Sequence, residues 1–426
     1  MTTAFDTHMR KTLPFLDAMS DLADTVSPSI TYDNTGEYAA RVLRPLDDIL
    51  DHETHAFPRD QWHQLSEQGL KGLIIPAEYG GMGLNYMHLA LATLQISRAS
   101  GSIGLSFLAD QALCAHQIIH HGTPDQKAAY LPQLASGAFV GALAMSEPEA
   151  GSDVMAMRTM AVPTSKTGEP GFIINGSKMW ITNGGRIDEA GQKVTADILV
   201  LYAATQQDPK KLTAFLVESG TSGFEAVSKI EKEGMRGSET WELSFNNCFV
   251  PATHVLGEVN RGGNILMQGL NAERLILGAG ALGLGVAAMD DALEYASQRR
   301  QSGIPIAYNQ TVAHKLADLF SELVGTTNHL LLTAATAEKH LSNASAASVF
   351  LAASRLASQI TEQNVYLHGG NGQTTDYRAG RLKRDASLYR VGGGTEDVRS
   401  QRIAEDILPG YGAYLRQQKA FQRNPV

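Results

Sequence analysis

Apolar residues recur at three- and four-residue spacing through residues 1–140, as at Met87, Leu91 and Leu94, which predicts helices rather than strands. Within that stretch Thr123, Pro124 and Gln126 spell a helix start: a hydroxyl cap, a proline in the first turn and an amide three residues after the cap. Between residues 141 and 256 the period changes. The runs 198–202 and 214–217 are short and continuously apolar, Trp241, Leu243 and Phe245 alternate with polar neighbours, and turn formers punctuate the region. Helical spacing returns at 257 and persists to 408. It includes the Gly- and Ala-rich apolar run 275–289, read as a helix that becomes fully buried. That run is shorter than a membrane span requires. Pro409 and Gly410 interrupt the pattern and leave 409–426 as a polar tail, expected to be extended or loosely attached. The order is an N-terminal α-helical domain (1–140), a small central β domain (141–256) and a C-terminal α-helical domain (257–408). This is an α+β architecture.

The 426 residues are enough for several cores, and a hydrophobic content of 43% is ordinary for a globular chain. The net charge of −9, with no basic block, argues against nucleic acid or an anionic membrane as the main partner. Cys114 and Cys248 are too few for a disulfide scaffold and lack ligand spacing, so both are expected as buried or half-buried thiols, and no metal is expected. The N-terminus mixes acidic with basic residues and has no apolar core, which suggests a cytoplasmic protein.

Two segments carry the most chemistry. Residues 144–153 read Ala-Met-Ser-Glu-Pro-Glu-Ala-Gly-Ser-Asp, where small and hydroxylated residues let backbone amides approach a flat polar ligand. Residues 175–184 read Asn-Gly-Ser-Lys-Met-Trp-Ile-Thr-Asn-Gly. In a strand, Trp180 and Thr182 fall on one face, offering an aromatic plane beside a hydroxyl.

On these segments the chain resembles the acyl-CoA dehydrogenase family of FAD enzymes. The likeness continues through 72–83 (Gly-Leu-Ile-Ile-Pro-Ala-Glu-Tyr-Gly-Gly-Met-Gly), 122–127, Gly234-Met-Arg-Gly-Ser238, Gly369-Gly-Asn-Gly372, Arg384-Asp385 and Gly392-Gly-Gly-Thr-Glu396. The resemblance implies the family's fold and an α,β-dehydrogenation of an acyl-CoA. FAD would be the hydride acceptor, an electron-transfer flavoprotein the electron acceptor, and the assembly a homo-oligomer such as a tetramer. It implies further that Met145, Ser146, Gly151 and Ser152 line the cofactor, with Ser152 also reaching the CoA portion. Trp180, Ile181 and Thr182 would meet the flavin edge, and Thr395 and Glu396 would lie beside FAD. Arg299 and Gln310 would reach the FAD of a neighbouring subunit, and Tyr366, Gly369 and Gly370 would also bind the cofactor, the glycines allowing close backbone approach.

The family needs a base for the α-proton, and a desolvated carboxylate serves. Many members place a glutamate just before the Gly-Thr near the C-terminus; here that position is Gly393, in Gly392-Gly393-Gly394-Thr395. Isovaleryl- and long-chain-type members supply the base from a central helix, and Asn271-Ala-Glu273-Arg274-Leu matches that motif. The resemblance therefore assigns the base to Glu273. Asn271, Arg274, Gly393 and Gly394 would contact substrate, and the absent side chain at Gly393 would leave room for a branched acyl group. The chain departs from the family pattern at Asn271 (usually Asp), Ser302 (usually Phe) and Tyr366 (commonly Gln). Rival readings keep the flavin but change the carrier or chemistry: a carrier-protein-bound acyl group, a desulfinase- or oxidase-like reaction, or flavin retention without turnover. Gly278-Ala-Gly280-Ala-Leu-Gly283 satisfies Gly-x-Gly-x-x-Gly, but no βαβ context surrounds it, so close helix packing explains it better. His368 reads as a structural histidine.

Overall fold

Helices fill the described chain as far as Ala135. The computed structural model describes residues 3–19, 26–52, 58–166 and 168–423. Asn85 caps Tyr86–Ala99, almost every residue of which is buried. Thr123 caps Pro124–Ala135 through a full capping box, its hydroxyl accepting from Gln126 N at 3.2 Å while the Gln126 amide accepts from Thr123 N at 3.0 Å.

The β region is an eight-stranded sheet with a small two-stranded one, Gly185–Ile187 against Lys193–Thr195. The order of the larger sheet is Val255–Leu256, Lys210–Glu218, Ile198–Gln207, Met160–Lys166, Glu169–Thr182, Thr240–Pro251 and Phe224–Lys229, with Gly141–Ala144 pairing off this path onto Ile198–Gln207. Trp241, Leu243 and Phe245 are buried on one face, as their alternation predicts.

Beyond the sheet, Gly262–Gln298 is a single helix of 37 residues, packed against Asn343–His368 and Tyr86–Ala99. It is longer than the apolar run suggested, and by length and composition it could cross a membrane. Within the protein, however, 89% of its most apolar window is buried, so it is the core helix of the fold. Its glycines are packing positions. An added Cβ would come within 2.3 Å of the Tyr389 hydroxyl at Gly280 and 2.4 Å of the Leu94 carbonyl at Gly283. A helix interior at these residues excludes the strand–turn–helix that a dinucleotide-binding turn needs.

The polar tail corrects an expectation. Gly410 turns the chain with φ +81°, and Tyr411–Arg423 then re-forms a helix rather than an extended strap. Leu, Arg, Gln and Ala dominate it, and good helix formers restart a helix once the break is passed.

Buried polar clusters lock the helices to the sheet. Lys71, stacked over Trp62 at 4.1 Å, pairs with Asp110, whose other oxygen accepts from Gly141 N at 2.7 Å at the start of the first strand. Asp47 pairs with Arg381 at 2.9 Å, and Asp385 accepts from Met235 N. Both cysteines are buried and free.

Candidate active site

Glu273 lies three turns into the central helix, 5% exposed. It accepts no hydrogen bond from any described residue, and its Oε2 is fully enclosed without a partner. Burial raises its carboxyl from the ordinary 4.5 to about 7, against the opposing charge of Arg274. Arg274 is equally buried. Its Nη1 makes only long contacts of 3.4 Å to Asn271 Oδ1 and Asn343 Oδ1, and its Nε has no partner. A carboxyl that titrates near neutrality and has an oxygen to spare is equipped to take a proton.

Gly393 closes on this carboxyl from a loop far along the chain. A Cβ placed there would lie 3.6 Å from Glu273 Oε1. Its φ of +66° and that of Gly394, +93°, suit glycine. Neither glycine's amide donates a hydrogen bond to any described residue. The fold thus joins the two positions that the motifs singled out, although 120 residues separate them (393 − 273). The expected room at Gly393 is not there, however. The same Cβ would meet Leu277 Cδ1 at 2.2 Å and Phe350 Cε1 at 3.1 Å, so those side chains occupy the space a glutamate would need. Thr395 caps the helix Glu396–Ile407, its hydroxyl accepting from Val398 N at 3.3 Å. Glu396 is held by Arg355 at 2.9 Å and Arg390 at 2.5 Å. Burial would raise its carboxyl, but the two arginines bring it below the ordinary range. One carboxyl is pushed up by burial and the other pulled down by its arginines, so of the two Glu273 is the one able to exchange a proton near neutrality.

The β domain supplies a second set. Met145 and Ser146 are half-buried at the end of the first strand, Gly151 and Ser152 are exposed in the bend that follows, Ile181 is buried and Thr182 half-buried. The strand is not regular here. Lys178 pairs with Leu243 and Ile181 with Trp241, so Met179 and Trp180 bulge opposite Glu242 alone. Trp180 consequently has φ +62° and leaves its indole 50% exposed. Two residues that motif reading passed over anchor this region, Glu147 and Lys178. Lys178 Nζ donates to Glu147 Oε1 at 2.8 Å. Local pattern gave no signal for Lys178, whose period-two neighbours Gly176 and Trp180 are both exposed.

The third set lies at the far end of the central helix. Arg299 is its C-cap, 26 residues after Glu273, which puts the two about 39 Å apart along the axis. Arg299 and Gln310 are exposed, and the Arg299 guanidinium pairs with no described residue. Ser302 and Gly303 turn the hairpin between them with φ +52° and +86°. Nearby, Tyr295 stacks on His368 at 4.0 Å, and its hydroxyl accepts from Asn371 Nδ2 at 3.0 Å. His368 Nδ1 pairs with Asn364 O at 2.8 Å, consistent with a structural role. Exposed Tyr366 is stacked under Lys315 at 5.3 Å, and Gly369 and Gly370 have nothing above their Cα atoms within 4 Å. The uncovered indole, the Ser146 and Thr182 hydroxyls, the open glycines and the unpaired arginine supply the plane, donors and cation that FAD requires.

Family models for the acyl-CoA dehydrogenase N-terminal, middle and C-terminal domains match residues 30–138, 142–248 and 260–408. The mitochondrial isovaleryl-CoA dehydrogenase of Solanum tuberosum is 41% identical over 395 residues, 90% of this chain and 92% of the relative. The mitochondrial 2-methylacyl-CoA dehydrogenase of the same plant is 38% identical over 381 residues, 88% of this chain and 89% of the relative. The structure of butyryl-CoA dehydrogenase from Megasphaera elsdenii superposes with a TM-score of 0.84 at 30% identity, covering 89% of this chain and 98% of that one. Sharing three domain models, the whole architecture and two-fifths of its residues with such relatives, the chain belongs to the acyl-CoA dehydrogenase family, FAD-dependent oxidoreductases acting on acyl-CoA.

Proposed function

We propose that this enzyme dehydrogenates a short branched acyl-CoA to its 2-enoyl thioester, with Glu273 as the base. The observation that carries the reading is the enclosed, unpartnered Glu273 carboxyl facing Gly393. The branched substrate is suggested by the relatives named for isovaleryl- and 2-methylacyl-CoA. FAD, when bound, would supply the acceptor for the β-hydride. Glu273 removes the α-proton, and its raised pKa matches it to a weak carbon acid. The free Gly393 amide stands ready to hold the thioester oxygen as charge develops there. Arg274, with donors to spare, Asn271 beside it and Gly394 border the substrate; Ser152 serves the CoA portion. Leu277 and Phe350 form the wall around the reacting carbons.

Met145, Ser146, Gly151, Trp180, Ile181, Thr182, Thr395 and Glu396 serve FAD in the same subunit. Arg299, Gln310, Tyr366, Gly369 and Gly370 lie too far along the helix for that and serve a neighbouring copy's FAD, which makes the enzyme a homo-oligomer, a tetramer on the family pattern. An electron-transfer flavoprotein takes the electrons, and the cytoplasm is the working compartment.

Anaerobic bleaching of the flavin by a panel of acyl-CoAs tests the assignment. Isovaleryl- and 2-methylacyl-CoA should bleach fastest. Bleaching only by carrier-protein-bound acyl groups, or by no thioester at all, would refute it.

A further inference from the structure

Lys178 has no exposed surface, yet it carries a full set of partners. Its Nζ donates to Glu147 Oε1 at 2.8 Å and Met145 O at 3.0 Å, with Met157 Sδ at 3.6 Å. Glu147 is clamped from the other side: Oε1 accepts from Thr159 Oγ1 at 2.6 Å and Thr159 N at 3.0 Å, and Oε2 from Arg158 N at 2.6 Å. Main-chain bonds close the arrangement. Met179 N donates to Ser146 O at 3.0 Å, and Glu147 and Ala150 exchange bonds of 3.2 and 3.1 Å. The loop bearing Met145 and Ser146 is thereby riveted to the strand bearing Trp180 and Thr182.

The same lysine bears on the bulge. Lys178 and Ile181 both point inward, so the two residues between them must be extruded. A tryptophan at φ +62° is strained and persists only where its flanks over-determine it. Lys178 is the polar flank, held by a charge-assisted bond in an enclosed site.

We propose that the Lys178–Glu147 pair is a positioning device for the flavin site: it holds loop 145–153 against the strand and keeps Trp180 in its outward conformation. Neither side chain takes part in the chemistry. The proposal rests on the reading that these two segments bind FAD. Removing the ammonium would free the loop from the strand and let Trp180 relax toward ordinary strand geometry. FAD would then bind a site that has to be ordered first.

The test uses Lys178→Met, which keeps the length and apolar fit of the stem, and Glu147→Gln, which keeps an acceptor but removes the charge. Two readouts are taken on the protein as purified, well below its melting temperature. One is the rate of FAD loss on dialysis. The other is acrylamide quenching of tryptophan emission, which reports mainly on Trp180 because Trp62 and Trp241 are 1% and 0% exposed. Lys178→Met should lose FAD at least about tenfold faster and show altered quenching, the scale expected for one charge-assisted bond. Glu147→Gln should shift both in the same direction, about threefold for FAD loss, and stands in if Lys178→Met does not fold. A lowered melting temperature with wild-type FAD retention and wild-type quenching would mean that the pair only stabilises the domain, and would overturn the proposal. A wild-type protein that retains no FAD would instead refute the flavin reading itself.

Discussion

Replacing Glu273 by glutamine preserves the length and shape of the buried side chain, but removes the proton acceptor. Loss of a principal general base costs about 10²–10⁴-fold in rate, so flavin reduction by the best acyl-CoA should fall by that factor while FAD is retained. The structure adds a second magnitude. Burial moves the Glu273 carboxyl from 4.5 to about 7. At about 1.4 kcal/mol per pH unit, the ionised carboxylate costs the folded state about 3 kcal/mol. The sign follows from proton linkage. Below about pH 4.5 the group is protonated folded and unfolded, and costs nothing. As pH rises from there to about 7, the unfolded chain gives up its proton first, so stability is lost progressively and the full cost is reached above about 7. Glutamine never ionises. The variant should match wild type at acid pH and exceed it by up to about 3 kcal/mol above neutrality. Rapid-reaction flavin reduction measures the first effect, and denaturation of both proteins between roughly pH 5 and pH 9 measures the second. Near wild-type reduction in the variant would remove Glu273 as the base. A stability difference that does not grow with pH would show that its carboxyl is not desolvated, whatever its role in catalysis.

Arg299→Ala should lower FAD retention and subunit association together, checked by flavin content after dialysis and by sedimentation; unchanged flavin in an unchanged oligomer would count against an intersubunit role. Gly393→Ala should destabilise by about 1–2 kcal/mol from its left-handed φ alone, with more from the Leu277 contact, and Leu277→Ala should recover the second part but not the first in melting experiments. For the same reason Gly393→Glu paired with Glu273→Gly should restore activity only when Leu277 is also trimmed, as read by bleaching with straight-chain acyl-CoAs. Lys71→Met leaves the Asp110 carboxylate buried without its cation and should cost about 3–5 kcal/mol in denaturant unfolding; a loss under about 1 kcal/mol would show that the pair does not hold helix and sheet together.

Local pattern was enough to place the helices and strands. Spacing at Met87, Leu91 and Leu94, the cap at Thr123 and the alternation from Trp241 to Phe245 all report interactions between near neighbours in sequence, and the structure realises each. Motif order was likewise enough to bring Glu273, Gly393, Trp180 and Arg299 forward as candidates. What it did not carry was distance. That the Glu273 carboxyl faces Gly393 while Arg299 stands a helix length away depends on one unbroken 37-residue helix, and continuity past the apolar run is decided by what packs around it.

Three outcomes were tertiary in origin. Volume is a property of the packed core, so only the folded chain could reveal that Leu277 and Phe350 fill the place left by a missing side chain at Gly393. Strand register is set across a ladder, so the bulge that turns Trp180 outward was invisible in a two-residue spacing read on one strand alone. Charge burial depends on enclosure from all sides. Glu147 and Lys178 look like surface residues in the sequence and become an anchored pair only when loop and strand meet. The sequence by itself determined which elements form and which side chains are chemically able; the tertiary structure decided which of them meet, because proximity, free volume and desolvation arise only between segments that folding brings together.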